Sequence, residues 1–278
     1  MSPDPLPSGP ASSFGDLRAR VISGAAMAAV GVAAVWAGGL VFAALVAVLC
    51  GLMVWELACM LAPEAERHRT LGAGLVAGAG LLAAALWLSG PMQVLALLIL
   101  VAMLAYALGP ERRLAAPYLA LILLAGLGLV ILRAGYGWDW VLWLVLVVVG
   151  SDVAGYFAGR VIGGPKLWPR VSPKKTWSGT VAGWVLAALI GWVFMGILDA
   201  SVGLILASVL VAMAGQAGDI AESAIKRHAG VKDSSNLIPG HGGVMDRFDA
   251  MIAAAVIVLI LAVTGALDAL AGCPNGRC

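Results

Sequence analysis

Residues 140–160 read WVLWLVLVVVGSDVAGYFAGR. A continuous apolar run leads into one aspartate, Asp152, and ends on Arg160. Such a run is long enough to cross a ~30 Å hydrocarbon core as a helix. Lipid offers the backbone no hydrogen bonds, so a spanning segment must be a helix or part of a closed barrel. A barrel strand would alternate apolar and polar residues over roughly ten positions, and this run does not. It therefore reads as a membrane helix. Similar runs recur from Val21 to Ala271, in a chain that is 62% hydrophobic and 12% charged. A soluble domain is usually about 25% charged.

The expected fold is all-α: a polytopic integral membrane protein with about nine transmembrane helices. The spans are 21–37, 40–61, 71–88, 92–108, 115–133, 140–163, 178–198, 201–226 and 249–271. Gly38-Gly39 separates the first two, and Ser89-Gly90-Pro91 marks a turn. Residues 1–16, rich in Pro, Ser and Gly, read as disordered. The apolar run after Arg18 and Arg20 is longer than a signal-peptide core, so it reads as an uncleaved first helix.

Basic residues set the orientation. The N-terminus and every second loop after it hold fifteen of the seventeen lysines and arginines, leaving only Arg133 and Arg277 opposite. This places the N-terminus in the cytoplasm and the C-terminus outside. The two longest loops, 160–178 and 226–249, then face the cytoplasm. Residues 17–140 read as scaffold, 141–271 as the catalytic region, and 272–278 as an external tail. Cys50 and Cys59 lie in an apolar run, where a cysteine is usually a small hydrophobe. Cys273 and Cys278 in the tail are candidates for a small external disulfide. No long basic tract suggests a nucleic-acid partner. The chain has no GxxxxGK[ST] loop, no GxGxxG after a strand and no GxSxG.

Polar residues gather at four places. In GDIAESAIKR, 218–227, helical spacing puts Asp219, Glu222, Ser223 and Lys226 on or near one face. Charges in an apolar helix are expensive and should face a polar cavity, or else pair internally to fix helix packing. Asp152 lies eight residues before Arg160, so ~12 Å deep. Asp219 lies seven before Lys226, ~10 Å deep. Matching depths suggest one shared cavity; the alternative for Asp152 is a hydrogen bond to a neighbouring helix. GGPKLWPRVSPKKTWSG, 163–179, reads as a loop. In it Lys174 and Lys175, with Ser172 and Thr176, form either a phosphate cradle or ordinary membrane-flanking anchors. In PGHGGVMDRFD, 239–249, Asp246 and Asp249 open the last helix beside glycines and Arg247. That set suits a metal–phosphate site, because hard Mg²⁺ prefers carboxylates and phosphate oxygens. Helix capping by the aspartates is the alternative. His241 either orients a phosphate or holds the loop.

Ser223-x-x-Lys226-Arg227, Lys232-Asp233-Ser234-Ser235, Pro239-Gly240-His241-Gly242-Gly243 and Asp246-Arg247-x-Asp249 together resemble the signature of the phosphatidate cytidylyltransferases (CDP-diacylglycerol synthases). GSDVAGYFAGRVIG and SPKKTWSG resemble that family's upstream motifs, with Ser178 where glutamate is common. The resemblance implies transfer of a cytidylyl group from CTP to phosphatidate, giving CDP-diacylglycerol and pyrophosphate, with Mg²⁺ and room for a second cation. It implies Asp219 and Asp246 as metal ligands, with Asp249 and Asp152 in support. Ser223, Lys226, Lys174, Lys175, Arg227, Arg247 and His241 would serve the phosphates. The setting it implies is a bacterial-type inner membrane, with the active site on the cytoplasmic face and a homodimer allowed. Two alternatives remain: a CTP-dependent transferase for another lipid phosphate, and an ion-coupled transporter using Asp152 and Asp219. A transporter should spread its acids over both halves, and the first half offers mainly Glu56.

Overall fold

The computed structural model describes residues 13–169 and 171–272. Among these residues nine long helices run in order: α1 (Ser13–Ala37), α2 (Gly39–Leu61), α3 (Arg67–Trp87), α4 (Pro91–Ala107), α5 (Arg112–Tyr136), α6 (Trp138–Val161), α7 (Trp177–Ile197), α8 (Gly203–His228) and α9 (Met245–Val263). Seven are long and apolar enough to cross a membrane. The other two are α4, which is apolar but short, and α9, whose first turns carry Asp246, Arg247 and Asp249. The all-α expectation holds at this level.

The structure departs from the sequence reading at three points. Residues 13–16, expected to be disordered, belong to α1. The expected last span is interrupted: α9 ends at Val263, Gly265 takes a left-handed φ of 73°, and a short α10 (Ala266–Leu270) follows. The expected loop 163–179 contains an antiparallel hairpin, β1 (Lys166–Trp168) and β2 (Ser172–Thr176). Its base is closed by Trp177 N–H donating to Pro165 O at 3.1 Å and by Ser178 Oγ donating to Gly163 O. Cys273 and Cys278 lie outside the described residues.

Two halves meet along a central seam. The first half packs α2 on α3 and α4 on α5; the second packs α6 on α7, α7 on α8 and α8 on α9. α5 lies against α9 and joins them. At this seam Gly128 of α5 lies directly against α9, where a Cβ would overlap the Ala255 carbonyl and crowd Leu259. α1 is the least buried of the helices, with Val32 and Trp36 among its exposed residues. α6 and α7 touch backbone to backbone, since a Cβ on Gly179 would overlap the Gly155 carbonyl. Small residues permit such approach in the membrane, where van der Waals packing drives helix association.

Candidate active site

At the Arg160 end of α6, that helix and the hairpin, α7 and α8 enclose a polar cavity of about 570 Å³. Asp152 of α6 and Asp219 of α8 both line it, so the two acids inferred to share a depth do share a cavity. β2 supplies the opposite charge. Lys175 is partly buried and reaches inward: its Nζ lies 2.5 Å from Asp219 Oδ2 and donates to Gln216 O at 3.4 Å. Lys174, exposed, sits on the same cavity wall with Arg160 and Lys166. Gln216 fixes α8 against α7, its Oε1 accepting from Trp184 Nε1 at 3.0 Å and its Nε2 donating to Thr180 O at 3.3 Å. A larger depression of about 740 Å³ between α6 and α7 is lined by apolar side chains and Ser178, with no titratable group.

α8 carries the densest charge. One carboxylate oxygen each from Asp219, Glu222 and Asp249 lie within 4.8 Å of one another. Glu222 is fully buried, with Lys226 Nζ 3.0 Å from Oε2. Its Oε1 has no hydrogen-bond donor among the described residues. Ser223 Oγ donates to Asp219 Oδ1 at 3.4 Å. Three carboxylates this close repel strongly where water is scarce, and a buried carboxylate oxygen without a donor calls for a partner. A hard divalent cation such as Mg²⁺ fits an all-oxygen set of this kind.

Asp246 sits differently. Its Oδ1 accepts from Lys226 Nζ at 2.7 Å. Its Oδ2 accepts from Ser234 N–H at 2.8 Å, Ser234 Oγ at 2.9 Å and Gly243 N–H at 2.8 Å. The carboxylate is occupied by its own loop and by Lys226, and the group of three contains Asp249 instead. Both acids face α8, Asp246 at the level of Lys226 and Asp249, one turn on, at the level of Asp219 and Glu222, and the signature spacing alone does not reveal that difference. The glycine loop is built tightly. Pro239 and Gly240, with φ of 75° at the glycine, form the centre of a type II turn closed by His241 N–H donating to Ile238 O at 2.9 Å.

The other expected site residues lie at the edge. His241 Nδ1 is 2.8 Å from Ser23 Oγ, which ties the glycine loop to α1. Arg227 is exposed, and its Nη1 donates to Val231 O at 3.5 Å; Arg247 is exposed. None of these three lines the polar cavity. Ser178 Oγ lies 3.1 Å from Thr176 Oγ1, which caps α7 by accepting from Gly179 N–H at 3.2 Å. Ser178 therefore helps close the hairpin base.

Glu56 was passed over by motif reading. It is fully buried in α2, yet all its polar contacts are with residues 234–245. The available signal was its rarity, since an acid inside an apolar helix is functional by default.

The profile of the cytidylyltransferase family matches residues 18–264, nearly the whole of the described chain. The chain belongs to this family. Among curated proteins, phosphatidate cytidylyltransferase of Brucella suis is 44% identical over 128 residues, 45% of this chain and 47% of the relative. The Bacillus subtilis phosphatidate cytidylyltransferase is 39% identical over 120 residues, 42% of this chain and 45% of the relative. That of Staphylococcus saprophyticus is 41% identical over 119 residues, 42% and 46% of the two chains. The matched region thus spans a little under half the length of each relative. These findings identify a cytidylyltransferase-family membrane protein with several apolar helices.

Proposed function

We propose that the chain transfers the cytidylyl group of CTP to phosphatidate, releasing pyrophosphate and forming CDP-diacylglycerol. The observation that carries this reading is the polar cavity, in which Lys174 and Lys175 stand across from Asp219 and Asp152. The names of the relatives point to the same substrates. A phosphate monoester of a lipid is already ionised at neutral pH, so the nucleophile needs no general base. Its oxygen attacks the α-phosphorus of CTP, a new P–O–P link forms, and the bond to the β-phosphate oxygen breaks. The barrier is electrostatic: two anions must approach while a third leaves.

Lys174, Lys175, Lys166 and Arg160 would neutralise the phosphates as ion pairs, Lys175 from a partly buried position and the other three from the exposed rim. Asp219, Glu222 and Asp249 would hold Mg²⁺, which when bound supplies charge neutralisation on the triphosphate. Lys226 balances Glu222 and Asp246, and Asp246 keeps the Ser234 and Gly243 backbone in place. Asp249 thus takes the ligand role that the resemblance gives to Asp246.

For topology we favour nine crossings, with α4 and α9 added to the seven apolar helices. The split of basic residues favours a cytoplasmic N-terminus and cavity, where CTP is available. The setting is a plasma membrane, with the first half as scaffold for the second. Purified protein incubated with CTP, phosphatidate and Mg²⁺ should release pyrophosphate and form a cytidine-labelled lipid. No pyrophosphate with phosphatidate, but turnover with another lipid phosphate, would reassign the substrate. No turnover with any lipid phosphate would reject the transferase reading.

A further inference from the structure

We propose that Glu56, in the scaffold half, is the positioning residue for the catalytic loop and the first turn of α9. This rests on the transferase reading for its kinetic consequences but not for its geometry. The argument begins at a helix end. The first backbone N–H groups of a helix have no intrahelical acceptor and need one from elsewhere. The residue at the N-cap of α9 is Val244, which has no side-chain acceptor. Glu56 supplies it across the fold: Oε1 accepts from Val244 N–H at 2.9 Å, and Oε2 from Met245 N–H at 2.7 Å. A carboxylate at a helix N-terminus also meets the positive end of the helix dipole.

The same carboxylate holds the preceding loop. Ser235 Oγ donates to Oε1 at 2.6 Å, and Ser234 Oγ lies 3.2 Å from Oε2. Ser234 is the link to the site, because its Oγ and N–H both approach Asp246 Oδ2. Gly243 has no room for a side chain here: a Cβ would crowd Glu56 Oε1 and overlap Ser234 Oγ. Three donors, from Ser235, Val244 and Met245, therefore converge on one fully buried carboxylate from a different half of the chain, with the Ser234 hydroxyl that donates to Asp246 beside them. They fix where Asp246 meets Lys226 and, one turn on, where Asp249 meets Asp219 and Glu222.

Neither the cavity nor the carboxylate group includes Glu56 itself. Its effect on turnover would pass through Ser234 and the start of α9. Glutamine is the informative replacement. It keeps the shape, but its amide nitrogen must face one backbone N–H and one serine hydroxyl, and only the hydroxyl oxygen can accept from it.

The test uses the full-length chain in lipid nanodiscs, comparing native protein with Glu56→Gln and the milder Ser235→Ala. Three things are measured: hydrogen–deuterium exchange over residues 233–246, melting temperature with and without Mg²⁺, and turnover against CTP and Mg²⁺ concentration. The proposal expects Glu56→Gln to fold and to exchange faster at Ser234 and at 243–245. Its kcat should fall about 10–100-fold, the range seen when the support behind a ligand is removed, with a higher Mg²⁺ requirement. The KM for CTP should change little, because Lys174 and Lys175 are untouched. Ser235→Ala should move the same readouts less. Unchanged exchange over this segment would overturn the proposal. Faster exchange with native kcat and Mg²⁺ requirement per folded molecule would also overturn it, leaving Glu56 a stability residue. If native protein releases no pyrophosphate from CTP and phosphatidate, the activity reading fails separately. Glu56 is then judged by exchange and by the Mg²⁺-induced melting shift, which Glu56→Gln must weaken.

Discussion

Asp219 and Asp246 have the same side chain, stand on adjacent packed helices and each face a lysine, yet their surroundings are opposite. Asp219 lies in a cavity wall, its side chain about 28% exposed, with Lys175 and a long contact from Ser223. Asp246 is about 3% exposed and accepts four hydrogen bonds, three of them from its own loop. A carboxylate with few donors retains capacity for an incoming cation or phosphate-bound metal. A saturated one has spent its lone pairs on shaping the chain. On the proposed reading Asp219 acts through chemistry and Asp246 through folding, and the number of donors each accepts from is what distinguishes them.

Substitutions can break or sharpen this contrast. The largest effect on turnover is expected from Asp219→Asn: a fall of roughly 10³-fold, since metal stabilisation of phosphoryl transfer is worth several kcal/mol. The melting temperature should stay near native. If activity lost in this variant simply follows lost folded protein, Asp219 is structural. Asp246→Asn comes next, and by the other route. An amide nitrogen would confront backbone donors and Lys226 would lose a counter-charge, costing roughly 2–4 kcal/mol of stability. Specific activity of the surviving folded fraction should drop less than in Asp219→Asn; equal turnover losses at full stability would erase the distinction between the two acids.

The two hairpin lysines refine the comparison further. Lys175→Ala should raise the KM for CTP about 10–30-fold, corresponding to one charge-assisted contact of roughly 1.5–2 kcal/mol. Lys174→Ala, whose side chain is more exposed, should raise it only about threefold. A reversed order in steady-state kinetics would mean that the outer lysine meets the nucleotide first. The smallest effect is expected from Ser223→Ala. Its contact with Asp219 is 3.4 Å long, so a two- to threefold loss of kcat is expected for a weak neutral hydrogen bond. A loss above about 50-fold would show that Ser223 touches substrate directly.

Helix positions were legible because unbroken apolar runs ended at Gly38-Gly39 and Ser89-Gly90-Pro91, and those signals act locally. The cavity was legible from Asp152 and Asp219 because depth along a helix is a matter of counting residues. The hairpin was not: SPKKT offers no alternation of apolar and polar residues, and its strands are stabilised by closure at Pro165 and Gly163. That Asp249 rather than Asp246 lies within reach of Asp219 and Glu222 was hidden, because the level at which α9 meets α8 depends on the tertiary contacts of its first turn. Glu56 was hidden more deeply. Its partners lie 178 to 189 positions away along the chain, beyond any periodicity or spacing rule.

The contact between Gly155 and Gly179 sets a mechanical limit on the cavity. Where α6 and α7 cross, the two main chains already touch, so no trimming of side chains can bring these walls closer. Any added carbon at Gly179 must wedge them apart, and Asp152, one turn from Gly155, would be carried away from Lys175. The gauge of the opening is therefore a main-chain dimension. Retooling the site for a bulkier or smaller headgroup would have to proceed at the rim, on the hairpin, where Lys166 and Lys174 can change without moving a helix.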